Sequence, residues 1–180
     1  NKLKYRLGIK VSTPLTRILV SREKFIDAAQ KLNNKIFLKD DERQPVLINQ
    51  GGSGWNPVES TKYFSNCKVL LVLRDPRDQF VEIKQYKKAK SINGFIDWYK
   101  EMQFRLKEIN NNNLLKINFE DFVKKNHQTT DLLCKHLSIS TNVDSSYQPD
   151  LSRKNIGKYK KFLKIEEIDL IEKSLSEYIF

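Results

Sequence analysis

The stretch Lys68–Phe80 reads KVLLVLRDPRDQF. Its middle, Val69–Leu73, is an unbroken apolar run of strand length. That is the pattern of a parallel strand buried on both faces. It runs straight into Arg74-Asp75-Pro76-Arg77-Asp78, a knot of alternating charge. In open parallel sheets, ligands bind beyond the carboxyl ends of the strands. Arg74 is the first residue past this strand, and Pro76 stiffens the chain just after it. A guanidinium is a planar fork of donors that matches phosphate or carboxylate. Asp78 suits the N-cap of a following helix, whose positive end would share the same crevice. The knot therefore reads either as an anion-binding corner or as an ion-pair cluster that closes a strand–helix turn.

Later in the chain, Phe95–Ile109 places Phe95, Trp98, Met102, Leu106 and Ile109 on one helical face. Leu114–Asn118 is a second short strand. Helices near Glu120–Lys125 and Thr129–Leu137 follow, then a polar, loop-like segment from Asn142 to Lys154. Ile165–Ile179 is a closing helix with Ile168, Ile171, Leu175 and Tyr178 toward the core. Earlier in the chain, Leu3–Val11 and Val46–Asn49 suit strands, and Lys24–Leu32 a helix. The loop Gln50–Trp55 has little side-chain bulk. Gly52, Ser53 and Trp55 are its candidate substrate contacts, although a tight turn explains the small residues equally. In Asn56-Pro57-Val58-Glu59, Asn56 suits a cap, Pro57 the first helical position and Glu59 a capping box. Strands alternating with helices predict an α/β fold, a central parallel sheet flanked by helices.

The 180 residues suit one domain, 1–180, and the 39% apolar content still allows a core. No run approaches the ~20 apolar residues needed to span a membrane. Cys67 and Cys134 are far apart and read as reduced thiols, which fits a cytoplasmic setting. The first residue is Asn1, so the domain is expected to be incomplete at its N-terminus. The net charge of +11 suits a polyanionic partner or a ligand with several phosphates. A chain-wide excess of Lys gives the same number without selecting any partner. No metal site is expected, because the cysteines, His127 and His136 lack ligand spacing. Tyr86, Lys87 and Lys88 are the only group that suggests a nucleic-acid surface, and such a role is not favoured.

LVLRDPRDQF resembles the 3'-phosphate-binding segment of the sulfotransferase superfamily, in which a strand ends in Val-Arg-Asp/Asn-Pro-Arg/Lys-Asp. Further blocks agree in order. Ile117–Val123 (INFEDFV) is similar to the family's "RYEDL" strand end, and Thr129–Ser140 to the helix after it. Ser152–Leu163 (SRKNIGKYKKFL) is similar to the late basic loop, and Glu166–Leu175 to the closing helix. The likeness covers about Val46–Phe180. It implies a three-layer, P-loop-like fold. It also implies transfer of a sulfuryl group from 3'-phosphoadenosine 5'-phosphosulfate to a hydroxyl of a carbohydrate or small metabolite. Arg74 takes the place of the family's 3'-phosphate Arg, and Arg153 and Lys154 that of the late basic pair. Gly157 and Tyr159 match the glycine and the aromatic of that loop, which is one residue shorter here.

This chain departs from the pattern in three places. Glu82 stands where the family has a Ser that donates to the 3'-phosphate. A carboxylate there repels a dianion unless it turns away or a Lys neutralises it, and Lys84 is near enough in sequence. The phosphosulfate loop at the front is not evident; Val11–Arg17 is at best a degenerate form of it. Where the family places its general base, Glu59 is the nearby carboxylate. A non-catalytic anion- or sugar-binding protein of the same fold is therefore the alternative reading.

Overall fold

The computed structural model describes residues 20–37, 46–48, 54–86, 91–140 and 147–179. Helix α1 spans Arg22–Phe37, and a 3-10 helix covers Glu59–Tyr63. Strand β1, Val69–Leu73, runs into helix α2, Pro76–Gln85. Helix α3, Ile92–Glu108, precedes strand β2, Leu114–Asn118. Helices α4 (Phe119–Lys124) and α5 (Asn126–Leu137) come next. Two short helices, α6 (Pro149–Arg153) and α7 (Tyr159–Phe162), lead to α8, Ile165–Ser174. A 3-10 turn, Ser176–Tyr178, closes the described chain.

β1 and β2 pair in parallel, in register from Val69 opposite Leu114 to Leu73 opposite Asn118. Both strands have the bounds expected from the sequence. Among the described residues this is a two-stranded sheet in a mixed α/β chain. Leu71 and Leu73 pack on a core built from α2, α3 and α8, with Phe80, Tyr99, Leu106, Ile171 and Leu175 fully buried or nearly so. Phe95 sits at the centre of its aromatic part, with ring centroids 5.0 Å from Phe80 and 5.8 Å from Tyr99. Ser91 starts α3 by accepting the Gly94 N–H at 3.0 Å. Lys116 Nζ donates to the Leu106 carbonyl, tying β2 to the last turns of α3.

The structure corrects several expectations. β1 is not buried on both faces, since Val72 is 55% exposed. Successive side chains alternate across a strand, so Leu71 and Leu73 meet the helices while Val72 faces the other way. Val46, Leu47 and Ile48 are exposed and belong to no strand, while Asn49 and Leu3–Val11 lie outside the described residues. No capping box forms at Asn56. The 3-10 helix follows Val58 without a side-chain cap, and the Glu59 carboxylate goes to Lys62 at 2.6 Å and Arg22 at 3.1 Å. The Arg22 bond joins the 3-10 helix to α1, whose own residues are all at least partly exposed. Asn33 Nδ2 donates to the Tyr63 carbonyl at 2.7 Å, and Phe25 meets the Tyr63 ring edge-on.

Part of the polar segment Asn142–Lys154 is the helix α6, started by Pro149 in its first turn. The closing helix stops at Ser174 rather than Ile179. Among the described residues, no helix is long and apolar enough to cross a membrane.

The core assignment is testable. Ile171→Ala is expected to cost about 2–5 kcal/mol in urea unfolding, the range for truncating a buried aliphatic side chain. Val72→Ala, on the exposed face, is expected to cost less than about 1 kcal/mol.

Candidate functional site

The four charged residues of the knot are all held by partners, most of them distant in sequence. Asp75, not Asp78, caps α2: its Oδ1 accepts the Arg77 N–H at 2.9 Å, and Pro76 fills the first helical position. The same carboxylate grips the Arg77 guanidinium through Nε at 3.0 Å and Nη2 at 2.5 Å. Arg77 Nη1 reaches on to Glu172 of α8 at 2.5 Å, and its plane lies 4.1 Å from the Tyr159 ring centroid. The Asp75 hydrogen bonds, followed by those of Glu172, hold this guanidinium protonated even more firmly than usual. Asp78 sits at the third position of α2 and accepts from two backbone amides, Gly157 at 2.6 Å and Tyr159 at 2.9 Å. Gly157 has φ +75°, a conformation that costs glycine nothing and other residues about 1 kcal/mol.

Arg74 stands at the end of β1 with its side chain 16% exposed. One terminal nitrogen is ion-paired to Glu82 of α2. The other donates to the Asn155 carbonyl at 2.6 Å. The guanidinium carbon lies 5.2 Å from the Phe119 ring centroid. Its Nε is buried and takes no partner among the described residues. Behind it, Tyr99 donates to the Arg74 carbonyl at 3.2 Å, and burial pushes the Tyr99 phenol up to about 12. Glu120, 2% exposed at the start of α4, accepts the Asp75 N–H at 3.1 Å. Burial raises the Glu120 carboxyl above its ordinary value, against the hydrogen bonds that lower it.

The structure thus brings the late loop to the strand end. Asn155, Gly157 and Tyr159 meet Arg74 and Asp78 across roughly eighty residues of chain. Arg153 and Lys154 flank this contact but are exposed, and Arg153 pairs with Asp150 at 3.0 Å. The Arg77 amide in the first turn of α2 is not open to a guest, because Asp75 caps it. Lys84 does not neutralise Glu82; it is paired with Glu167 at 2.6 Å. Glu59 is held below the ordinary carboxylate range, first by its hydrogen bond from Lys62. Trp55 packs edge-on against Trp98 at 6.2 Å, with the Arg105 guanidinium 5.2 Å from its ring. Gly52, Ser53, Lys87 and Lys88 lie outside the described residues. Both histidines belong to α5. A groove of about 180 Å³, lined by Val81, Lys84, Gln85, Phe162 and Leu163, contains none of the candidate cofactor- or substrate-binding residues.

Sequence reading missed Asn155, Glu120 and Glu172. Asn155 acts through its backbone, which no side-chain pattern reports. Glu172 is 95 residues from Arg77. Glu120 lies inside the INFEDFV block, and its place just past the strand Leu114–Asn118 was the available signal.

Asp78→Ala is expected to cost about 2–3 kcal/mol, since two amides lose a charged acceptor. It is expected to open the segment 152–159 to limited proteolysis before global unfolding. Glu120 makes a pH prediction. Its folded pKa is raised, so the native state binds the proton more tightly than the unfolded chain. That contribution is fully present below the ordinary 4.5 and is lost as pH climbs through the folded value. Glu120→Gln still accepts from Asp75 but does not titrate. Urea midpoints between about pH 4 and pH 7 should fall less with rising pH in this variant than in the parent. Comparison with family models, with curated proteins and with solved structures finds no match to this chain.

Proposed function

We propose that this chain is a sulfotransferase-like domain. It transfers a sulfuryl group from 3'-phosphoadenosine 5'-phosphosulfate to a hydroxyl of a carbohydrate or small metabolite. In this reading β1 and β2 belong to the central sheet of a three-layer, P-loop-like architecture. The observation that supports it is the docking of the late loop on the strand end. The resemblance requires these two segments to meet at the 3'-phosphate, and Arg74–Asn155, Asp78–Gly157 and Asp78–Tyr159 are contacts between them.

Arg74 is the residue assigned to the 3'-phosphate, with Arg153 and Lys154 supplying positive charge from the exposed side of the loop. Sulfuryl transfer, like phosphoryl transfer, is an in-line displacement that depends on positioning and on charge stabilisation at the equatorial oxygens. A rigid strand end, with its arginine held from three sides, suits the positioning part of that task.

Glu82 favours a second reading, a non-catalytic anion- or sugar-binding protein of the same fold. Its carboxylate sits on the nitrogen that a phosphate needs.

Differential scanning fluorimetry with 3',5'-adenosine bisphosphate tests the proposal. At about 100 times Kd the ligand should raise Tm by about 5–10 °C, and Arg74→Ala should remove the shift. Transfer of label from sulfate-labelled donor to a panel of hydroxyl acceptors then separates the enzyme from the binding protein. A folded chain whose Tm ignores the nucleotide sinks the sulfotransferase reading and the anion-binding form of the second.

A further inference from the structure

We propose that Glu82 sets the affinity and phosphate selectivity of this corner, as an internal carboxylate that competes with a 3'-phosphate for Arg74. This inference rests on the nucleotide-binding reading above and adds the residue that controls it.

Three observations carry it. First, the Arg74 fork has two outward nitrogens, and the chain itself fills both, one with Glu82 and the other with the Asn155 carbonyl. A carbonyl is neutral and tolerates a neighbouring dianion. A carboxylate on the same guanidinium does not, because like charges at contact distance repel strongly. Second, the two partners differ in freedom. The Arg74 side chain is 16% exposed and is backed by Phe119, whereas Glu82 is 42% exposed. The carboxylate can therefore swing into water while the guanidinium stays in place. Third, among the described residues Glu82 pairs with no second cation, since Lys84 is engaged by Glu167. An arriving phosphate meets the full negative charge of Glu82.

The consequence is an exchange at one nitrogen. Glu82 orients the guanidinium and shields it from water on one side. A phosphate monoester dianion must displace it, so binding is weaker than the geometry of Arg74 alone allows. A ligand with a free 3'-hydroxyl does not need that nitrogen and is indifferent to the charge of Glu82.

Isothermal titration with two probes, 3',5'-adenosine bisphosphate and adenosine 5'-monophosphate, tests this in the parent, Glu82→Gln, Glu82→Ser and Arg74→Ala. Glu82→Gln keeps the shape and removes the charge, so it guards against a Glu82→Ser chain that folds poorly. Circular dichroism establishes folding for each. The expected result is at least about tenfold tighter binding of the bisphosphate to Glu82→Gln and Glu82→Ser, with the monophosphate changed by less than about twofold. Equal bisphosphate affinity in the parent and both variants, with loss in Arg74→Ala, overturns the role of Glu82 and leaves the nucleotide site standing. A gain of equal size for both probes also overturns it. No bisphosphate binding by any folded protein overturns this inference and the reading beneath it together.

Discussion

Asp75 and Arg77 form an ion pair shut almost wholly away from water, and the architecture of this chain is arranged around that fact. A desolvated charge costs several kcal/mol unless its partners are well placed. Here the carboxylate satisfies the guanidinium twice and caps its own helix as well. The remaining face of Arg77 is covered by Tyr159, and its free end is met by Glu172. One guanidinium therefore fixes the angle of α2 and holds both α7 and α8 against it. Replacing the pair by apolar residues of similar volume could preserve stability, as at other buried pairs. It would remove the geometric reason that the late loop sits where it does.

The charge of the molecule is distributed against simple expectation. The chain carries a net +11. At the corner itself, however, Arg74 and Arg77 are accompanied by Asp75, Asp78, Glu82, Glu120 and Glu172. The basic excess lies elsewhere, on exposed lysines such as Lys160 and Lys161 and on the flanking Arg153 and Lys154. A global charge count thus said little about the corner. What orders the corner is hydrogen bonding between named groups, and most of its carboxylates are already committed to amides or guanidiniums.

Some of this was legible in the sequence. The strand Val69–Leu73 was, because a continuous apolar run bounded by charge leaves little choice of state or limits, and Leu114–Asn118 was as a short run broken only by Lys116 after the Asn tract. The helix expected over Phe95–Ile109 was, through its 3.6-residue periodicity, although it starts earlier, at Ile92, and ends at Glu108. The meeting of the late loop with the knot was implied by resemblance to a family, not by any local pattern. What stayed hidden was partner choice. Asp75 and Asp78 are equally good caps on composition, and only the position of Gly157 and Tyr159 decides that Asp78 turns outward to them. Glu59 looked like a capping residue because its spacing from Asn56 is right. The helix that forms there is 3-10 rather than α, so the box geometry never arises. Val72 looked buried because an apolar run does not reveal which of its faces is covered.

The knot also has a bearing on the order in which the chain acquires structure. Arg74, Arg77 and Asp78 wait for Asn155, Glu172 and Gly157, which leave the ribosome long after them. Chains emerge from the N-terminus onward at about 5–20 residues per second. During that interval Arg74 and Arg77 already have Glu82 and Asp75 within reach in sequence, while Asp78 and the far ends of both guanidiniums stay in water. The corner is therefore completed late, when the C-terminal segment supplies the Asn155 carbonyl, the Gly157 and Tyr159 amides and the Glu172 carboxylate.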